Sequence, residues 1–223
     1  KAQDAGIDMS VIVLLGLGLA LLDGQGSRLQ GWLAYSFLAG LGTGSLVVFH
    51  RLLRLGSAAG KAAAVAFLIR LAVGVSLTLL LPVLGHQDKN AVASQAGYFY
   101  QDAFLRDRQA WKLAQSTRPL FTAFTSEGSA DQYGSMLFLS AAAYRTLSHD
   151  AHRQMLILML TASAGAWGVL FVWKAAREWF GEGTARITGW IFALYPEAIL
   201  LGASQMREGF VLSAVALAFY GLV

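Results

Sequence analysis

Long apolar runs separated by short polar ones organise this chain. A helix that crosses a bilayer needs about 20 mostly apolar residues. Runs at Gly31–Phe49, Ala62–Leu84, Ala151–Trp173, Thr184–Tyr195 (continuing toward Leu201) and Phe210–Val223 fit that pattern, and Met9–Leu22 is a shorter one. The pattern predicts an all-α integral membrane protein, a polytopic bundle of about six transmembrane helices. The sequence stops inside the last run, which predicts a portion of a longer protein. One stretch, 85–150, interrupts the series. It carries Phe99, Phe104, Leu105, Trp111, Leu113, Leu120, Phe121 and Phe124, too apolar a set for disorder. Within it, Tyr100–Ala114 has helical spacing. Phe104, Ala110, Trp111 and Ala114 fall on one side, and Asp102, Arg106 and Gln109 on another. This predicts an amphipathic helix lying on the membrane face. Tyr133–Leu147 is too short to span and reads as a re-entrant or interfacial helix.

Composition agrees: 56% of the 223 residues are hydrophobic and 13% charged, against about 25% charged in soluble domains. The bases behind the net charge of +4 are scattered between apolar segments, which argues against nucleic acid as a partner. Without cysteine there is no disulfide, thiolate metal site or thiol nucleophile. The short segments His50–Lys61 (Arg51, Arg54, Lys61) and Lys174–Arg186 (Lys174, Arg177, Arg186) are rich in Lys and Arg, whereas acids and bases balance in Gly85–Gln132. The positive-inside rule then predicts the two basic segments in the cytoplasm and the long loop outside. Arg70, about two turns inside the third segment, is expected to snorkel to the cytoplasmic interface. Gly40 and Gly44 have the spacing of a close helix crossing.

Charge gathers where the chain leaves the third segment, in Asp102, Arg106, Asp107, Arg108 and Lys112. One reading is a solvated helix with internal ion pairs such as Asp102 with Arg106. The other is a site for a substrate whose tail stays in the membrane, whose phosphate takes Arg or Lys, and whose reacting group needs a carboxylate base. His149, Asp150 and His152 cluster before the fourth segment, where His86 could join them. Such a group could bind a divalent cation, or Ser148 or Asp150 could cap the helix with His152 in its first turn. Asp131 reads as a cavity residue or a helix N-cap. A phosphate-binding glycine loop, a zinc-protease His-Glu-x-x-His and a nucleophile elbow are all absent.

From the third segment to Val223 the chain resembles the N-terminal part of the GT-C superfamily, integral-membrane glycosyltransferases of the protein-mannosyltransferase and aminoarabinose-transferase type. Asp102 stands where that family enters its outer loop at an Asp-Glu pair, with Ala110 eight residues on. Ala103 and Arg106 replace the family's Glu and Tyr. WKAAREWFGEGTAR at Trp173–Arg186 and ALYPEAILLGASQMREGF at Ala193–Phe210 follow in the family's order. The resemblance implies a polyprenyl-phosphate-linked sugar as donor, an acceptor at the extracytoplasmic face and the bacterial cytoplasmic (inner) membrane as location. It implies Asp102 and Glu208 as catalytic carboxylates, and Arg106, Asp107, Arg108, Lys112, Asp131 and Arg207 as substrate-binding groups. No cofactor is required by it, although a divalent cation could act at His149, His152 or His86. Residues 1–60 would be two added helices and 61–223 the GT-C-like core. The alternative, motivated by Ala103, is a non-catalytic subunit or scaffold packing against partner transmembrane helices.

Overall fold

The computed structural model describes residues 9–84, 91–125 and 134–222. The described residues are helical, with no strand among them. Three helices are long and apolar enough to cross a membrane: α2 (Arg28–Leu52), α3 (Ser57–Leu84) and α7 (Met155–Leu194). Two more, α1 (Met9–Asp23) and α9 (Glu208–Gly221), are apolar but shorter. Short helices α4 (Ala91–Gln95), α5 (Gln101–Gln115) and α6 (Ser135–Leu147), with a 3₁₀ turn at Leu120–Phe124, form a cap between α3 and α7. A helix of about two turns, α8 (Pro196–Gly202), precedes α9.

α7 is the axis. Its run Ala162, Ser163, Ala164, Gly165, Ala166 and Gly168 is buried on every side, as a helix apolar all round must be. Such small residues let neighbouring backbones approach. A Cβ on Gly42 of α2 would meet Ser163, and one on Gly74 of α3 would meet Leu158. Ser213 of α9 donates to the Ala164 carbonyl. At Gly181 the backbone turns over (φ 82°, ψ 172°), a conformation open to glycine. The second arm, 182–194, returns alongside the first, so that a Cβ on Gly189 would run into the Trp173 ring. The close α1–α2 crossing falls at Gly16, where a Cβ would reach 2.7 Å from the Ser36 backbone nitrogen. Gly40 and Gly44 make no close approach. Leu33, Phe37 and Leu41 of α2, Leu68 and Leu80 of α3, and Val211, Val215 and Phe219 of α9 remain exposed, a periphery suited to lipid.

Arg70 does not snorkel. It is 1% exposed, and its guanidinium donates from Nη1 to the carbonyls of Ala66 and Ala193, both at 3.1 Å, and from Nη2 to Phe192 at 3.4 Å. The cause is Pro196. The returning arm of α7 stops at Leu194, because the residue before a proline is driven out of helical geometry; Tyr195 has φ −61° and ψ 119°. Pro196 has no N–H to give to the carbonyl four residues back, Phe192. Arg70 supplies the missing donors from α3. Gly165 and Gly202 make room: a Cβ on either would lie within 2.8 Å of its side chain.

A second arginine closes the end of the bundle beside the cap. Arg153, fully buried, donates from Nη2 to the carbonyls of Gln25 and Ser27, both at 2.9 Å, and from Nη1 to Ser148 Oγ at 2.7 Å. It also pairs with Asp150 and, at 3.6 Å, with Asp23. Asp150 in turn accepts the Ser27 N–H at 2.8 Å. The α1–α2 turn is thereby tied to the approach to α7. This corrects the capping expected at 148–152. α7 starts at Met155 without a side-chain cap, Ser148 Oγ donates to the Ala151 carbonyl, and Asp150 serves Arg153.

The hydrogen bond from Arg153 is the first cause that lowers the Asp150 carboxyl to about 2. A depressed folded value stabilises the fold above the unfolded pKa, about 3.9, and that stabilisation is lost as pH falls toward 2. The melting temperature of the wild type should therefore fall more steeply between pH 4 and 2 than that of Asp150→Asn. Parallel slopes would contradict the pairing.

Candidate functional site

The cap turns one face of α5 into the protein. Ala103, Phe104, Arg106, Asp107, Ala110 and Ala114 are buried, so Arg106 lies on the buried side and not among the solvated polar residues. The entry to α5 is fixed by Gly97 (φ +83°), where a Cβ would sit 2.7 Å from the Thr78 carbonyl. The next residue, Tyr98, is buried and donates its hydroxyl to Asp107 Oδ2. Tyr144 of α6 donates to Asp107 Oδ1 at 2.7 Å, and His152 Nε2 lies 2.7 Å from Oδ2. Asp107 is 2% exposed, so its oxygens are met by two phenol hydroxyls and an imidazole instead of water. Burial, and then the Asp107 carboxylate, raise both phenols well above their ordinary values. The Trp111 and Tyr144 rings pack against the His152 imidazole at centroid distances of 5.2 and 5.1 Å. The His152 side chain keeps 30% of its surface open. The arrangement is a carboxylate–imidazole pair with one ring nitrogen held inward.

Arg106 leaves α5 in another direction. Its Nη2 donates to the Gln205 carbonyl at 2.6 Å and lies 3.7 Å from Met206 Sδ. This joins α5 to the segment that opens α9. Glu208 stands in the first turn of α9, where a carboxylate suits the helix dipole, and Arg207 Nε is 3.8 Å from it. The Tyr100 phenol is raised by burial and further by the charges of Glu197 and Glu208. Asp102, Arg108 and Lys112 are exposed on α5, and Arg108 lies over the Phe104 ring at 5.4 Å.

The candidate residues therefore divide. Arg106 reaches Gln205 and Met206, and Arg207 and Glu208 pair in the residues that follow. Asp102, one turn before Arg106, is exposed. Asp107 belongs to a separate buried cluster. His149 is exposed and its carbonyl accepts Gln115 Nε2 at 3.1 Å. Among the described residues no three of His, Asp and Glu gather as a metal site; His86 and Asp131 lie outside the described residues.

Three structural participants have no signal in the sequence. Tyr98 and Tyr144 lack a local one, since their partner is distant along the chain. Arg145 hydrogen-bonds the carbonyls of Leu113, Ala114, Ser116 and Arg118. It satisfies the C-terminus of α5 from α6, an interaction that basic residues favour.

These features define an all-helical chain with candidate membrane-spanning helices and a polar cap at one end. Compared with known protein families, curated proteins and solved structures, the chain matches none.

Proposed function

We propose that this chain is the membrane core of a glycosyltransferase that moves a sugar from a polyprenyl-phosphate donor to an acceptor at the extracytoplasmic face. In this reading the six apolar segments all lie in the bacterial cytoplasmic membrane, and the cap faces outward. The carrying observation is the Arg106–Gln205 contact. It ties α5, on which Asp102 is exposed, to the segment that leads into the Arg207–Glu208 pair, and the bundle keeps an apolar periphery along which a lipid tail could lie. Asp102 would act as general base on the acceptor, with Glu208 as the second carboxylate. Arg108, Lys112 and Arg207 would meet the phosphate. Arg106 is a positioning residue, because its guanidinium holds the 205–208 segment. Asp107 has no free role as an acid or base while it accepts from Tyr98, Tyr144 and His152.

The test is transfer of labelled sugar from a polyprenyl-phosphate donor by the full-length protein. General-base removal is worth about 10²–10⁴-fold, so Asp102→Asn should lower kcat by that factor, with Glu208→Gln also defective. Unchanged transfer by Asp102→Asn would contradict the catalytic assignment. One observation favours the second reading, a non-catalytic subunit: the position beside Asp102 is a buried alanine, Ala103. A stoichiometric larger assembly on gentle extraction, free of polyprenyl phosphate, would support that reading. A monomer holding the lipid would exclude it.

A further inference from the structure

At the end of the bundle away from the cap, an arginine fills a glycine position. α2 stops in a Schellman turn, in which the Arg54 N–H closes on the Arg51 carbonyl at 3.0 Å and the Leu55 N–H on the His50 carbonyl at 3.2 Å. Arg54 has φ +50°, the left-handed conformation for which such turns ordinarily use glycine. Strain of that kind gathers at binding sites and persists only where its surroundings impose it. Here Arg177 of α7 imposes it, donating to the Arg54 carbonyl at 3.0 Å and the Leu53 carbonyl at 3.5 Å. Leu53 and Leu55 are buried on either side. The turn is rooted in the core, and the Arg54 side chain stands out of it, exposed.

Three more cations, Arg51, Lys61 and Arg186, are exposed at the same end. Among the described residues no carboxylate lies within ion-pair reach of any of the four. Glu178 is taken by Lys174 and Arg177, which leaves Glu182 as the one uncommitted acid among the described residues of this end. Just before the Gly181 reversal stand Trp179 and Phe180, 53% and 66% exposed, with their rings edge to face at 6.0 Å. Leu52 and Ile187 are exposed as well. Aromatic side chains of this kind sit at the headgroup level of a bilayer, and clustered Lys and Arg at that level meet anionic headgroups. A soluble polyanion would satisfy the cations but leave Trp179, Phe180 and Leu52 in water.

We propose that this end of the bundle is a docking surface for the headgroups of anionic phospholipids, with Arg54 held out of the α2–α3 turn as its fixed contact. Charge complementarity selects the anionic lipid, and the neighbouring aromatic and aliphatic groups select a bilayer over a soluble anion. A turn built for glycine carries an arginine because the guanidinium is needed outside it. The surface is independent of the transfer chemistry proposed for the cap.

The full chain, in detergent micelles, is offered an equimolar mixture of phosphatidylglycerol and phosphatidylcholine with the same acyl chains, and the lipids it retains are counted by native mass spectrometry. The expected result is preferential retention of phosphatidylglycerol. Arg54→Gly should lower that preference about 5-fold, the scale of one basic residue at an anionic surface, while the melting temperature holds or rises, because glycine relieves the turn. Arg51→Gln, Lys61→Gln and Arg186→Gln combined should remove most of the remainder. Arg28→Gln with Arg118→Gln, exposed bases at the cap end, should leave the preference in place, and inorganic phosphate should not displace the lipid. Equal retention of the two lipids by the wild type would overturn the proposal without any variant having to fold. So would an unchanged preference in Arg54→Gly, an equal loss in the cap-end pair, or displacement by phosphate. A melting temperature that falls in Arg54→Gly would assign the arginine to the turn itself and remove its role as the lipid contact.

Discussion

Replacing Arg70 by methionine should destabilise the folded protein by about 2–6 kcal/mol, since two buried carbonyls lose their donors at about 1–3 kcal/mol each. The residue is 1% exposed and its partners are backbone oxygens, not a carboxylate. Its worth lies in a helix that has been broken by Pro196. Inside a bilayer a free carbonyl has no water to turn to, so the cost belongs at the upper end if this height is membrane. The mechanism makes a sharper statement than the magnitude. Pro196→Ala restores an N–H that can close on Phe192. In that background Arg70→Met should cost less than it does alone. Reversible unfolding in mixed micelles measures all four proteins of the cycle. Additive costs, within about 0.5 kcal/mol, would contradict the capping role. Arg70→Lys should fall between, because a single ammonium cannot reproduce a two-pronged donor.

The second large effect belongs to Asp107. Asp107→Ala leaves the Tyr98 and Tyr144 hydroxyls and His152 without their acceptor in the interior of the cap. A loss of about 2–6 kcal/mol is expected, since two buried hydroxyls lose their acceptor at about 1–3 kcal/mol each. Tyr144→Phe made on top of it should cost less than Tyr144→Phe in the wild type, because the hydroxyl no longer has a bond to lose. An unchanged cost would show that Tyr144 and Asp107 do not act together. The effect should appear in stability first. Asp102→Asn, on the exposed side of the same helix, should leave the melting temperature in place while lowering the proposed transfer, which would separate the proposed reacting carboxylate from the structural one.

The helices are legible because their signals are local. Apolar runs at Gly31–Phe49 and Ala62–Leu84 correspond to α2 and α3 with a few residues added at the ends, and Tyr100–Ala114 to α5. The fifth run, Thr184–Tyr195, is the returning arm of α7, stopped where Tyr195-Pro196 says it should stop. What is not legible depends on distant partners. Helical spacing assigns Arg106 to the polar side of α5, but the Gln205 carbonyl, from the far end of the chain, draws it inward. Arg70 looks like a residue that escapes to the interface, because no local pattern reveals the carbonyls that Pro196 leaves unpaired beside it. The polar run at 148–153 has the look of a local cap, whereas its acid and arginine answer to the α1–α2 turn. In each case a charge that the sequence assigns to solvent or to its own helix is instead spent on another segment's backbone.

The proposed glycosyltransferase activity requires the cap on the outer side of the membrane. The chain has no cysteine, so single cysteines report without background. Ser94→Cys in α4 and Thr117→Cys just after α5 lie on the cap, and Ser57→Cys opens α3 at the opposite, basic end. By the positive-inside rule, the Lys and Arg of the segments around Arg51, Arg54, Lys61 and Arg177 predict that basic end in the cytoplasm. A membrane-impermeant thiol reagent applied to intact cells should label the first two positions and spare the third until the membrane is opened. Labelling of Ser57→Cys with protection of the cap cysteines would put Asp102 and Glu208 on the cytoplasmic side, away from an extracytoplasmic lipid-linked donor, and would contradict the glycosyltransferase.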